Sequence, residues 1–125
     1  MRYIMALLFT VMSGSAWAHA WTPTYPELKM SYIKDVYVAE MLLWNSRADV
    51  SYYTFEVYND NWEHIPWAMT EGRRVRVEYL ERKQINIYIR RADVPRVRYV
   101  CSLSLHEKQR LSASLVSSRV CSKVK

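Results

Sequence analysis

Apolar and polar residues along the chain fall into short runs with period two and almost no helical period. "VYVAEMLLW" (36–44) is apolar on both faces at its centre, which predicts a strand in the middle of a sheet. "NSRAD" (45–49) carries turn chemistry. In "SYYTFEVY" (51–58), Tyr53, Phe55 and Val57 alternate with Tyr52, Thr54, Glu56 and Tyr58, the mark of a strand covered on one side. "NDN" (59–61) predicts another turn. "RRVRVEYL" (73–80) sets Val75, Val77 and Tyr79 against Arg74, Arg76 and Glu78. "QINIYIRR" (84–91) sets Ile85, Ile87 and Ile89 against Asn86, Tyr88 and Arg90, and the short "ERK" link predicts that the two form a hairpin. "RVRYVCSLSL" (96–105) predicts a strand with Val97, Tyr99, Cys101, Leu103 and Leu105 facing inward. A turn at "HEKQR" (106–110) leads to a last strand in which Val116, Val120 and Val124 are separated by serines. Upstream, "WTPTYPEL" places Pro23 and Pro26 in an extended arm or edge segment. Six or more short strands about ten residues apart predict an all-β, antiparallel sandwich. The aromatic corner between Trp44 and Trp62 is then core and cross-strand packing, with Trp44 directed into the gap between sheets.

The first residues change the picture of where this sandwich works. "MRYIMALLFTVMSGSAWA" has a cation at Arg2, an apolar run from Ile4 to Met12 and a small-residue end at Ala16-Trp17-Ala18. That layout predicts a secretory signal peptide over 1–18, cut after Ala18 or alternatively after Ala20. Its apolar run is shorter than the roughly 17–25 residues a membrane-spanning helix needs. The expected product, His19–Lys125, is exported, periplasmic or extracellular, and has no transmembrane segment. It holds an extended arm at 19–34 and one sandwich domain at 35–125. In an oxidising compartment the two cysteines, Cys101 and Cys121, read first as a disulfide. They lie ten positions either side of residue 111, so a simple hairpin pairs them. Two isolated thiols without a nearby histidine pair make a poor zinc site.

Charge is split along the chain. From His19 to Thr70 there are three Lys/Arg against seven Asp/Glu, a net −4, and from Glu71 to Lys125 fourteen against five, a net +9. A basic half in an exported protein points to an acidic partner (phospholipid, anionic glycan or an acidic protein face) and away from nucleic acid. If 73–80 and 84–91 pair, Arg74 and Arg76 share an outward face with Tyr88 and Arg90, a surface for such a partner. The plainer account of the same residues is a solvated face that blunts the sheet edges.

The order of elements has a parallel. A strand ending at Asn45, a strand ending in "VYND", then "HIPWAM", "RRVRVEYLERKQINIYIRR" and "ADVPRVRYVCSLS" together resemble the amino-terminal immunoglobulin-like domain of periplasmic pilus chaperones of the PapD type. Ile65-Pro66-Trp67, Ile87–Arg91 and Val94-Pro95-Arg96 occupy the matching places, and the resemblance covers roughly residues 35–105. It implies an immunoglobulin-like sandwich, work by protein–protein contact, and in one subgroup a disulfide joining the last two strands. The chain departs from that family in having room for one such domain rather than two. Its cleft cations have no assignable counterpart, and Ser114, Ser118 and Ser122 dilute the apolar alternation of the donating last strand.

Chemistry is sparse. No serine stands in a Gly-x-Ser-x-Gly setting, and Gly14 and Gly72 are too few for a phosphate-cradling loop. His19 is expected to leave with the leader or sit at a frayed terminus, and Glu63-His64 is at most one ligand pair. The chain is therefore expected to be no enzyme, with no catalytic residue, cofactor or metal. Trp62, Trp67, Tyr52 and Tyr58 could form a stacking platform for a sugar or a partner's side chains, or be core and rim. The expected function is that of an exported, single-domain protein-binding module in periplasmic assembly or on a secreted or virion-like surface. It would engage an exported partner through the arginine face (Arg74, Arg76, Tyr88, Arg90) or through strand addition at the last strand, near Val120. The alternative is an envelope-surface factor that binds anionic lipid or glycan through the arginine face.

Overall fold

β3 (Val36–Trp44) and β6 (Arg82–Arg90), each nine residues long, pair antiparallel over their whole length, from Val36↔Arg90 to Trp44↔Arg82. Directly opposite residues share a face, so Ala39, Met41 and Leu43 line one side with Ile87, Ile85 and Lys83. Two short strands, β1 (Ala20–Thr22) and β2 (Lys29–Met30), pair with the other edge of β3 and complete the first sheet. The second sheet has the order β5-β4-β7-β8, built from β5 (Val75–Arg76), β4 (Tyr52–Tyr58), β7 (Tyr99–Leu105) and β8 (Val116–Lys123). A 3-10 turn, Arg91–Arg96, joins β6 to β7. The computed structural model describes residues 19–66, 68, 70, 74–105 and 116–125. The segment 1–18 expected to be a leader, the expected turn at 106–110, Arg73 and Trp67 lie outside the described residues.

The two sheets pack as an all-β sandwich with the strand order of the immunoglobulin fold. The first sheet holds the first, second and fifth strands of that fold, and the second sheet holds the third, sixth and seventh with a short extra edge. Between them Trp21, Met41, Leu43, Tyr53, Val57, Ile87 and Val100 form one buried cluster. The arm stitches the sheets together. β1 runs along β3, the chain leaves that edge at Pro23, and the last residues then donate to the arm, from Lys123 N to Thr24 O (3.1 Å) and from Lys125 N to Pro26 O (3.0 Å). Trp21 adds a side-chain tie, its indole N–H donating to Val100 O at 3.1 Å.

Asn45 holds the end of β3 against the second sheet. Its side-chain amide donates to Val50 O (2.7 Å) and Val77 O (2.9 Å), while its Oδ1 accepts from Tyr53 Oη (2.6 Å) and Arg47 N (2.9 Å). The side chain is fully buried and fully bonded, which is how a buried amide escapes its desolvation cost.

Four expectations are corrected. The first is the hairpin of 73–80 with 84–91. Val77 N donates to Ser51 O (2.8 Å), then the chain turns at Glu78–Glu81 with Leu80 at φ 65° and crosses to the other sheet. β5 therefore pairs with β4, and β6 with β3.

The second is the face of β7. Ser104, Ser102 and Val100 stand opposite the inward Tyr53, Phe55 and Val57, so Tyr99, Cys101 and Leu103 point outward. The inward serines are bonded. Ser102 Oγ lies 2.5 Å from His19 Nε2, and Ser104 Oγ lies 2.6 Å from Ser118 Oγ.

The third is His19 itself, which is buried between the sheets with Ser118 Oγ 3.4 Å from Nδ1 and the Tyr53 ring edge-on at 4.9 Å. The fourth is Trp44, which lies next to inward Leu43 and so falls on the outer face, half-buried beneath the Arg82 guanidinium.

Candidate functional site

The outer face of the second sheet carries a cluster of aromatic rings. Tyr58 closes β4 and Tyr99 opens β7 directly opposite it. The 59–65 turn then folds back, with Asn59 Oδ1 accepting from Asn61 N and Glu63 N (2.9 Å each) and Ile65 N donating to Val57 O (2.8 Å). This wiring swings Trp62 over the sheet, where its ring stacks on Tyr99 with centroids 3.9 Å apart and planes 10° from parallel. Tyr58 leans against Trp62 at 5.9 Å and against His64 at 5.9 Å. Arg119, from β8, lies over both Tyr58 (5.6 Å) and Trp62 (5.4 Å). Beneath them the Cys101–Cys121 disulfide and Leu103 form a second, smaller cluster.

The turn is tied from outside as well. Arg98 donates from Nε to Asp60 Oδ1 (2.6 Å), and its backbone N–H donates to Tyr58 O (2.9 Å). The guanidinium hydrogen bond from Arg98 holds the Asp60 carboxyl below its usual range. Burial, then the hydrogen bond Tyr58 gives to Glu56, pushes the Tyr58 hydroxyl above its ordinary value, so it stays a protonated donor. Trp62 is 46% exposed and sits at φ 60°. A left-handed backbone is unfavourable for a bulky side chain, and a residue kept there is a pointer to function.

The residues singled out from the sequence are dispersed. Arg76 lies on the outer face of the second sheet opposite Tyr52 and pairs with Glu78 (2.6 Å), and Arg74 precedes it, exposed. Tyr88 and Arg90 lie on β6, on the outer face of the other sheet. Arg90 and Arg96 clamp the buried Asp93 at 2.9 and 2.5 Å, and the Arg90 hydrogen bond first, then Arg96, lowers its pKa against burial. The interleaved arginine and tyrosine face therefore does not form. Val120 packs partly buried against the main core, and the end of its strand is bonded to the 24–26 segment. Cys101 and Cys121 do pair across β7 and β8, with Cα atoms 4.1 Å apart.

Tyr58 and Trp62 were legible as a possible platform. Tyr99 and Arg119 were not, because the outward direction of β7 decides their place and period two alone does not say which face is the core. Among the described residues no group of three or more His, Cys, Asp or Glu is placed to hold a metal ion. No helix among them is long and apolar enough to cross a membrane. No family model matches the chain, and a search of curated proteins finds no match.

Proposed function

We propose that this chain is an exported immunoglobulin-like module that binds another exported protein through the Tyr58–Trp62–Tyr99–Arg119 stack. The observation that carries this reading is Trp62, a large ring held out of the core on a left-handed backbone and capped by an arginine. Tryptophan, tyrosine and arginine are the residues that dominate binding energy at protein interfaces, because they bury large area at low entropic cost. A sugar ring needs an open aromatic face, whereas this indole is already stacked on Tyr99 and covered by Arg119. The disulfide supports export, since such bonds persist in oxidising compartments. Assembly work of the pilus-chaperone kind is a narrower form of the reading, and it rests on the residue pattern from 35 to 105.

The test uses protein recovered from the envelope fraction after expression with its own leader, its mass checked for a start at His19. Photo-crosslinking from position 62 should trap a discrete exported protein. Trp62→Ala and Arg119→Ala should each weaken binding of that protein by about tenfold or more with the thermal midpoint nearly unchanged. Unchanged affinity in both variants, or a mature start inside the cytoplasm at Met1, would sink the proposal.

A further inference from the structure

A different part of the molecule carries a second kind of surface. β2 and β3 are joined by a five-residue turn, 31–35, at the pole of the sandwich where β6 ends and the 3-10 turn begins. This turn is internally bonded. Ser31 N donates to Val36 O (3.0 Å), Val36 N to Ile33 O (3.2 Å) and Ile33 N to Ser31 Oγ (3.1 Å), and Ser31 Oγ donates back to Val36 O (2.6 Å). Arg91 fastens it to the neighbouring segment, its N–H donating to Asp35 O (2.9 Å) and its guanidinium pairing with Asp35 at 3.5 Å.

The turn and the strand before it present apolar side chains to solvent. Tyr32 is 87% exposed, Met30 81% and Ile33 39%. Around them cations outnumber carboxylates. Segments 29–35 and 90–96 bring five Lys/Arg to this pole against Asp35 and Asp93, with Glu40 beside Lys29 as a third carboxylate. Asp93 is buried beneath Arg90 and Arg96, so it does not face solvent. An open hollow of about 280 Å³ runs between the turn and Arg91.

We propose that this pole docks on an anionic phospholipid surface, with Tyr32, Ile33 and Met30 entering the headgroup boundary while Lys34, Arg91 and their neighbours meet lipid phosphates. Apolar tips flanked by cations suit that boundary: the rings and methyls leave water, and the long basic side chains keep their charges at the phosphates. An acidic protein face would complement the charge and leave three apolar side chains without a reason to project. This reading is independent of the Trp62 stack, which lies on a different surface, so either can fail alone.

The experiment is co-flotation of the purified chain with vesicles of phosphatidylcholine, or of phosphatidylcholine mixed with phosphatidylglycerol, at low and high salt. Three results are expected. The chain floats with the mixed vesicles at low salt, it does not float with phosphatidylcholine alone, and binding falls at least about tenfold at high salt. The double variant Tyr32→Ser/Ile33→Ser leaves every charge in place and should lose about tenfold in partitioning. Its thermal midpoint should fall only slightly, since Tyr32 is largely exposed and loses an edge contact with Tyr88, and Ile33 is 39% exposed. Binding that the double variant leaves untouched would mean bulk charge alone acts, and would overturn the proposal. So would equal binding to both vesicle types, or a lipid-free dimer in sedimentation that the double variant abolishes.

Discussion

At the scale of single residues, the sandwich holds a polar seam inside an apolar core. His19 shows what the seam costs. Burial pushes its imidazole down to about 4 against an unfolded value of 6.5, with the Ser102 hydrogen bond opposing and the nearby Arg47 charge adding to the depression. The folded protein therefore holds His19 neutral while the unfolded chain takes up a proton below pH 6.5. Stability is complete above that value and falls as pH drops toward 4. Between pH 7 and 5 the loss should be about 2 kcal/mol in urea unfolding, and His19→Gln should flatten the profile. A profile unchanged by that substitution would show that other groups titrate. Asp93, whose pKa is depressed, acts lower: its contribution is present above pH 3.8 and lost as pH falls through its folded value, so the two windows separate. Nothing in the sequence singled out His19 as a core residue. Its partners Ser102 and Ser118 are 83 and 99 positions away. If the expected leader is cut after Ala18 the residue is kept, and a cut after Ala20 would remove it.

At the scale of elements, strand positions were legible and strand faces only in part. β3 occupies the nine residues marked out by its apolar run, and β4 and β6 put Tyr53, Phe55, Val57 and the three isoleucines inward as alternation requires. Alternation states that two faces differ without saying which is the core. On β7 the apolar side chains serve the outer cluster and the serines serve the seam, so the natural assignment comes out reversed. The 73–80 stretch misled for another reason. Its alternation is strand-like, but Asn45 accepts a hydrogen bond from Leu80 N at 2.6 Å, fixing a turn that ends pairing after two residues. The pairing of Cys101 with Cys121 depended only on hairpin symmetry, and there the register agrees. The bridge closes a loop of 20 residues. Replacing both cysteines by alanine should lower unfolding free energy by about 3 kcal/mol on the chain-entropy estimate while the folded fluorescence of Trp62 persists. A stability within about 0.5 kcal/mol of the native protein would show that strand pairing alone restricts the unfolded chain as much as the bridge does.

At the scale of the whole molecule, the separation of the two sheets decides what the charges can do. Arg76 and Arg90 belong to opposite outer faces, and each is engaged with a carboxylate, so charge seen as one block in the sequence is divided in space. The same division predicts a pattern of amide exchange. β3 and β7 have paired strands on both sides, and β4 lies between β5 and β7. β6 pairs with β3 alone among the described residues, and β8 pairs with β7 and, at its end, with the arm. Amides of an inner strand open only with the global unfolding reaction, while those on a free edge exchange locally. Exchange should therefore be slowest in β3 and β7. Along β6 it should alternate, with amides directed at β3 protected and those directed away fast. Ile85, Ile87 and Ile89 are buried, so side-chain burial does not account for fast amides there, and the alternation reports the backbone edge itself. Uniform protection along β6 would mean that its outer edge is covered in solution, by a second copy or by residues outside the described set. Concentration dependence of that protection would separate the two, because only pairing between copies strengthens as protein is added.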